Sequence, residues 1–254
     1  MKKLNNPKDK LNFADFRYQA ITTLAKDWKS PFTGILHKKG AVVEYTAFAK
    51  FTKNQKLSFP IPNMTALLLN LSNKLYNESK REISNLQSRT TNQKSSFFVP
   101  DVTAFFDLLE KRIASVVFAY TSLEVFANEH MPSKYTYKKQ RVDNKCEEVY
   151  SKEQIERWVD LDEKLTVILP QILNVQNPKN SKLWSKYKVL KHLRNSLIHI
   201  KSIDLLSISP TDRSIWNKIA VKKLDNFALI AKEIIALYLD NVTDKPRWFT
   251  KLPF

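Results

Sequence analysis

The chain has 254 residues but only two glycines, Gly34 and Gly40. A Rossmann fingerprint needs three closely spaced glycines and a P-loop needs two around its phosphate cradle, so neither nucleotide-binding motif fits. The scarcity of glycine, an ordinary content of 11 prolines and long amphipathic runs together favour helices. We therefore predict a mainly α-helical protein that uses no cofactor.

The N-terminal part of the chain is predicted to be a basic, mostly helical extension. Apolar side chains recur at helical spacing over residues 11–29 and again over residues 61–88. In the second run the predicted inner face consists of Leu67, Leu68, Leu71 and Leu75. Both glycines fall between these runs, and the apolar flanks around His37–Gly40 predict a hairpin or an ordered loop.

The polar stretch Arg89–Ser96 is the best candidate domain boundary, and it separates the extension, residues 1–94, from a domain over residues 95–254. Four helices are predicted in this domain: residues 101–130, a helix opened by the capping box Ser151–Gln154 and ended or kinked by Pro170, residues 181–203, and a last helix announced by Ser209–Asp212 that runs to about Asn241. A basic, aromatic loop over residues 131–150 follows the first of them. Four helices with modest connections predict an up-down bundle.

The charge of the chain favours a polyanionic partner. Lys and Arg number 42 against 25 Asp and Glu, which gives a net charge of +17. Residues 1–94 contain 17 bases and 6 acids, a net charge of +11, whereas residues 95–254 carry +6. Such an excess is typical of proteins that bind nucleic acid and less often of proteins that bind an anionic membrane surface. Charge that serves only solubility is the alternative interpretation.

The single cysteine, Cys146, excludes a disulfide framework and Cys-rich zinc modules and suits a reducing cytosol. No apolar run approaches the ~18 residues of a membrane-spanning helix, and no secretory signal pattern opens the chain. We therefore expect a soluble, cytoplasmic protein without a membrane partner.

Two of the predicted helices each carry a charged residue on an apolar stripe. On the helix over residues 181–203, Leu190, Leu193 and Leu197 form the core stripe and Arg194 lies at its edge, while His192, Asn195 and His199 cluster on the opposite face. On the helix over residues 101–130, the apolar stripe continues at the same spacing into Glu124 and Asn128. A carboxylate in such a stripe is costly unless it is paired, and the planar guanidinium of Arg194 is its natural partner.

The segment Leu193–His199 resembles the R-N-x-x-x-H signature of the HEPN superfamily, a form of that superfamily's Arg-x4–6-His motif. The segment Ser122–Glu129 is similar to the matching part of the first core helix, and Leu161–Leu165 is similar to a segment between these helices in several branches. The resemblance covers roughly residues 95–241. It implies a helical bundle that forms a homodimer and cleaves RNA without a metal, with two copies of the motif making one composite site.

The implied chemistry suits Arg194, Asn195 and His199. Cleavage by the ribose 2′-hydroxyl needs a proton acceptor and a proton donor near neutral pH, and an imidazole, with an ordinary pKa of about 6.5, can act as either. A guanidinium can stabilise the charge that gathers on the phosphate. Asn195 could hold the imidazole or the phosphate, and Glu124, with Asn128, would support the site by orienting Arg194. A role as a toxin or antiphage effector, with an antitoxin or another defence-system partner, is the usual setting of the family.

Less specific interpretations stay open beside this one. His199 can be an ordinary surface histidine, and the protein can be a non-catalytic HEPN-like RNA-binding or scaffold protein. The basic, aromatic loop predicts RNA contacts by Lys138, Lys139 and Arg141, but a plain solvated loop is equally compatible. A metal site is not expected, because His192 and His199 would lie about 10.5 Å apart along a helix axis.

Overall fold

The computed structural model describes residues 15–31, 34–44, 46–88, 99, 101–140, 147–206, 214–221 and 223–254. The chain forms two compact units, one from Met1–Leu67 with Lys245–Pro253 and the other from Leu68–Asp244 with Phe254. This division differs from the predicted one at residues 94 and 95, because most of the helix over residues 64–88 belongs to the second unit.

The first unit contains short antiparallel strands where a helix was expected. The strands are β1 (Ala20–Thr23), β2 (Trp28–Lys29), β3 (Leu36–His37), β4 (Val42–Glu44), β5 (Thr46–Thr52) and β6 (Gln55–Pro60). The pair β2–β3 is nested inside the pair β1–β4, and β5–β6 is a separate hairpin. A short helix, Arg247–Thr250, completes the unit.

The helix predicted over residues 11–29 is therefore wrong for residues 15–29, the part of that range that the structure describes. The run over residues 11–29 has apolar side chains at helical spacing, but β1 is rich in β-branched residues and pairs with a strand some twenty residues later. Of the hairpin or ordered loop expected around His37–Gly40, the structure shows an ordered turn. β3 ends at His37 and Gly40 adopts a φ of +84° before β4 begins, but β3 pairs with β2 and β4 pairs with β1.

The long helices α1 (Met64–Ser88) and α2 (Val102–Glu129) agree closely with the predictions for residues 61–88 and 101–130. The inner face of α1 is more polar than expected, because Leu68 is buried but Leu67, Leu71 and Leu75 are half-buried. Ser72 and Ser115 instead join α1 to α2, each hydroxyl donating to the other residue's carbonyl oxygen at 2.7 and 2.9 Å.

The predicted basic loop over residues 131–150 contains a hairpin of β7 (Thr136–Gln140) and β8 (Glu147–Ser151). It leads into α3 (Lys152–Trp158), where the capping box of Ser151 and Gln154 is confirmed. The helix does not continue to Pro170. A new helical segment starts as α4 (Leu161–Glu163), passes through a π-helical turn, Lys164–Ile168, and ends as α5 (Leu169–Leu173).

Pro170 lies inside this segment instead of ending it, because side chains satisfy the carbonyl groups around the π turn. The hydroxyl of Tyr238 donates to the carbonyl oxygen of Leu165, and the amide of Asn177 donates to that of Thr166 at 2.7 Å. A proline has no N–H to offer to these carbonyls, so the two side chains replace the missing backbone donor.

The remaining helices are α6 (Lys182–Ile198), α7 (Ser202–Leu206), α8 (Ile215–Ile219) and α9 (Phe227–Tyr238). The prediction of a single last helix up to Asn241 is therefore wrong. Its predicted start at Ser209–Asp212 lies outside the described residues. Helices α2, α6 and α9 pack against one another, so the second unit is mainly helical, as a helical bundle is. None of the helices in the described ranges is long and apolar enough to cross a membrane.

Arg112 is a buried cation in this unit that the sequence did not single out. Its side chain is 1% exposed. Its Nη1 donates to the carbonyl oxygens of Ile219, at 2.6 Å, and Val221, at 2.5 Å. Because the last carbonyls of a helix have no partner inside it, Arg112 caps the end of α8 from α2.

Candidate functional site

Helix α6 presents the residues of the R-N-x-x-x-H motif at its C-terminal end. The hydroxyl of Ser181 accepts from the amide of Trp184 and caps the start of the helix. The buried residues of α6 recur every three positions: Trp184, Tyr187, Leu190 and Leu193. Arg194 follows this stripe and is half-buried, as its predicted place at the edge of the stripe requires.

The guanidinium of Arg194 is held by a ring and an amide. Its Cζ lies 4.8 Å from the centroid of the Tyr120 ring, and its Nη1 donates to Oδ1 of Asn195 at 3.1 Å. The Nε atom is buried without a hydrogen-bond acceptor. The predicted two-bond pair with Glu124 is not formed, and no carboxylate of the described ranges lies within 4.0 Å of Arg194.

Glu124 is half-buried on α2 and lies in the field of two cations. Burial raises the pKa of its carboxyl, while the charges of Arg194 and then Lys164 lower it. Lys164 is 4% exposed, and its Nζ donates to Oδ1 of Asn128 and to the carbonyl oxygen of Glu156, both at 3.0 Å. Asn128 therefore supports the buried ammonium of Lys164, a partner that the sequence did not indicate.

An aromatic stack lies behind Arg194. The ring of Tyr120 stacks on that of Tyr187 with centroids 6.4 Å apart, and Tyr187 stacks on Trp184 at 4.4 Å. The hydroxyl of Tyr187 donates to Oδ1 of Asp162 at 2.6 Å, and Nζ of Lys191 lies 2.9 Å from the same oxygen. Burial raises the pKa of Tyr120 to about 12 and also raises that of Tyr187. The stack is thus a neutral support under the guanidinium.

His199 is exposed and lies at the point where α6 ends. It is the C-cap residue, with φ −116° and ψ 69°, and its backbone N–H donates to the carbonyl oxygen of Asn195 at 2.9 Å. This is the last regular backbone hydrogen bond of α6, whereas the side chain of Asn195 contacts Arg194. His192 is also exposed and lies seven residues before His199 on α6. Its Nε2 lies 3.0 Å from Nζ of Lys218.

The two lysines of the β7–β8 hairpin that were predicted to contact RNA form ion pairs with glutamates. Lys138 pairs with Glu147 at 3.0 Å, and Lys139 pairs with Glu163 at 2.6 Å. Tyr135, Tyr137 and Tyr150 pack against the apolar cluster of Met131, Ile155, Val159 and Ile168. Arg141 lies outside the described residues. The tyrosines therefore pack, whereas Lys138 and Lys139 form exposed ion pairs, and RNA contacts by these lysines stay a prediction.

Sequence reasoning missed Tyr120, Lys164 and Asp162 as members of this site. Tyr120 precedes Glu124 by four residues on the same stripe, which was a signal for a shared face. Asp162 and Lys164 belong to the segment Leu161–Leu165 that resembles a HEPN segment. Their inward contacts could not be read from it, because the π turn that follows Glu163 breaks the α-helical spacing.

No group of three or more His, Cys, Asp and Glu side chains within the described ranges is arranged to hold a metal ion. Comparison of the chain with known protein families, with curated proteins and with solved structures finds no match. Membership of the HEPN superfamily thus stays a prediction from the residues that resemble its motifs.

Proposed function

We propose that this chain is a metal-independent endoribonuclease that cleaves RNA by attack of the ribose 2′-hydroxyl on the adjacent phosphate. One observation carries the proposal. The guanidinium of Arg194 is fixed by Tyr120 and Asn195 with no carboxylate of the described chain within 4.0 Å, and the exposed His199 lies at the end of the same helix. A held cation and an exposed imidazole at one helix end suit a reaction that concentrates negative charge on a phosphate.

The proposed reaction needs two proton-transfer groups. One imidazole takes the proton from the 2′-hydroxyl, and a second one gives a proton to the departing 5′-oxygen. The motif supplies a single exposed histidine, His199, in each chain. A homodimer with two-fold symmetry would bring two copies of His199 and of Arg194 to one site. The bond between phosphorus and the 5′-oxygen breaks, and the product is a 2′,3′-cyclic phosphate.

A non-catalytic RNA-binding or scaffold protein is the second candidate. It is favoured by the contact of Arg194 with the buried ring of Tyr120, since a guanidinium stacked on an aromatic side chain also stabilises a fold. In that case Arg194 contributes to packing and His199 is an ordinary helix-end histidine. A role as a toxin or antiphage effector with an inhibitory partner belongs to the first candidate only.

The two candidates are separated by incubating the purified protein with total RNA in the presence of EDTA. The expected result is cleavage that leaves 2′,3′-cyclic phosphate ends, that His199→Ala abolishes and that a 2′-deoxy substitution at the cut site blocks. His192→Ala is a matched control, because His192 is an exposed histidine on the same helix. Its activity should equal that of the wild type. Intact RNA under all conditions, or equal cleavage by the His199→Ala protein, would leave only the second candidate.

A further inference from the structure

The β5–β6 hairpin is basic, aromatic and free of acidic residues. Residues 46–60 contain Lys50, Lys53 and Lys56 but no Asp or Glu. Phe48 is 71% exposed and Phe51 is 69% exposed. Burial of such large apolar side chains stabilises a protein, so their exposure is unusual. Such a segment has both the charge and the flat apolar surfaces that a ligand can use.

The strand register places two lysines directly opposite each other. Lys50 pairs with Lys56 across the hairpin, and Phe48 pairs with Ser58 two positions further along. Because side chains two residues apart in a strand lie on the same face, Phe48, Lys50 and Lys56 share one face. Phe51 lies where the register shifts between Lys50 and Thr52. Like charges directly opposite each other destabilise a sheet, so this pair needs a compensating reason.

No protein group of the described chain compensates these charges. None of the three lysines of the hairpin has a carboxylate within 4.0 Å in the described ranges. The face forms a concavity of about 630 Å³, which is lined by hairpin residues alone and includes Phe48, Lys50, Lys53 and Lys56. An anion in this concavity would relieve the repulsion between Lys50 and Lys56.

We propose that this face of the β5–β6 hairpin binds single-stranded RNA, with a base stacked on Phe48 and phosphates contacted by Lys50 and Lys56. The choice of RNA as the polyanion rests on the proposed function, whereas the binding surface rests on the hairpin itself. Stacking on an aromatic ring accepts any base, and lysines bind phosphate as point charges. The hairpin therefore holds RNA without selecting a sequence.

The arrangement of the side chains favours RNA over an anionic membrane. A surface that enters a membrane interface separates an apolar side from a basic side. On this hairpin an exposed aromatic side chain, Phe48, lies on the same face as Lys50 and Lys56. A single strand of RNA offers both bases and phosphates to such a face. A membrane and a second protein remain as outcomes that the experiment can detect.

The test measures binding of a fluorescently labelled single-stranded RNA to the full chain carrying His199→Ala, so that the RNA stays intact. Phe48→Ala should weaken binding by about 5- to 150-fold, as expected for one lost stacking contact. The double variant Lys50→Gln with Lys56→Gln should flatten the log–log salt dependence by about 0.7 for each lost phosphate contact. Lys74→Gln with Lys80→Gln, two exposed lysines of α1, is the matched control and should change the slope less.

Removal of the opposed charges should not unfold the hairpin, so the double lysine variant remains informative even if Phe48→Ala lowers the Tm. Duplex RNA of the same sequence should bind more weakly, because its bases are not free to stack. Unchanged affinity and salt slope in both hairpin variants would overturn the proposal. Loss of binding to phosphatidylserine vesicles, or loss of self-association, in variants whose RNA affinity stays constant would overturn it as well.

The outcomes for the hairpin and for the nuclease are independent. Cleavage that persists while hairpin variants bind RNA normally overturns the hairpin proposal alone. Hairpin-dependent RNA binding by a protein that never cleaves RNA overturns the nuclease proposal and supports the hairpin.

Discussion

The guanidinium of Arg194 lies over the ring of Tyr120, with its Cζ 4.8 Å from the ring centroid, and this contact takes the place of an ion pair with Glu124. A ring attracts a cation without neutralising it, whereas a carboxylate would cancel its charge. The full positive charge of Arg194 therefore stays available to a phosphate, and Glu124 acts on it only through the electrostatic field.

Two substitutions of Tyr120 distinguish the contribution of its ring to cleavage from that of its hydroxyl. Tyr120→Phe keeps the aromatic face under Arg194, so cleavage should stay within about twofold of the wild type. Tyr120→Leu removes this face and should slow cleavage up to about 30-fold, since a desolvated cation–π contact is worth about 2 kcal/mol. Single-turnover rates with excess enzyme measure the difference. An equal loss in both variants would mean that the ring does not position Arg194.

Arg194→Ala should abolish cleavage but destabilise the fold only moderately. The cation–π contact contributes about 0.5–2 kcal/mol, whereas breaking a buried ion pair costs about 3–5 kcal/mol. Urea unfolding should therefore show that the free energy of unfolding falls by about 0.5–2 kcal/mol. Arg157→Ala, at an exposed arginine of α3, serves as the control and should leave both stability and activity unchanged. A loss of about 3 kcal/mol or more would indicate a direct Arg194–Glu124 pair.

A composite site predicts that one defective chain inactivates a dimer. When wild-type and His199→Ala chains are co-expressed and combine at random, only dimers of two wild-type chains keep both imidazoles. With equal amounts of the two chains, the activity should fall to about one quarter of that of the pure wild type, measured at a fixed total concentration. Co-expression with His192→Ala should cause no loss. A fall to one half would show that each chain works alone.

Glu124→Gln should stabilise the protein more at neutral than at acidic pH. Burial raises the pKa of this carboxyl in the folded protein, so the folded state binds the proton more readily than the unfolded state does. The free energy of unfolding of the wild type then falls as the pH rises through that pKa, and the glutamine variant escapes this loss. We expect its advantage to grow between about pH 4 and pH 7.

Urea unfolding at the two pH values measures this effect. Glu110→Gln changes an exposed carboxylate on the same helix and should show no such growth. An advantage of Glu124→Gln that shrinks towards neutral pH would mean that the charges of Arg194 and Lys164 outweigh burial.

The sequence predicted the elements whose information is local. The apolar periodicity of α1 and α2 and the capping box of Ser151 each depend on residues a few positions apart. The strands β1–β4 escaped prediction because β1 pairs with a partner distant along the chain, and its own residues also satisfy a helical period. The periodicity of a segment as short as one helix does not show whether that segment pairs with a distant strand.

The same limit applies to the candidate site. The place of Arg194 at the edge of the apolar stripe could be read from one helix alone. Its partner could not, because a tyrosine that attracts a cation and a tyrosine that only packs look identical in a sequence. Lys164 reads as a solvated lysine, and only the fold places it 3.0 Å from Asn128.

The π turn over Lys164–Ile168 also decides how this segment tolerates changes in length. A π turn has one more residue than an α-helical turn, so the loss of any one residue within it would restore an α-helix. The residues that follow would keep nearly the same direction around the axis, because an α-helical turn completes the same rotation with one residue fewer. Leu169 would therefore stay on the buried side of the segment. Loss of one residue from α6, which is α-helical throughout, would instead rotate every later residue of that helix by about 100°. Among descendants of this sequence, the loss of one residue should therefore be tolerated better between Glu163 and Leu169 than within α6.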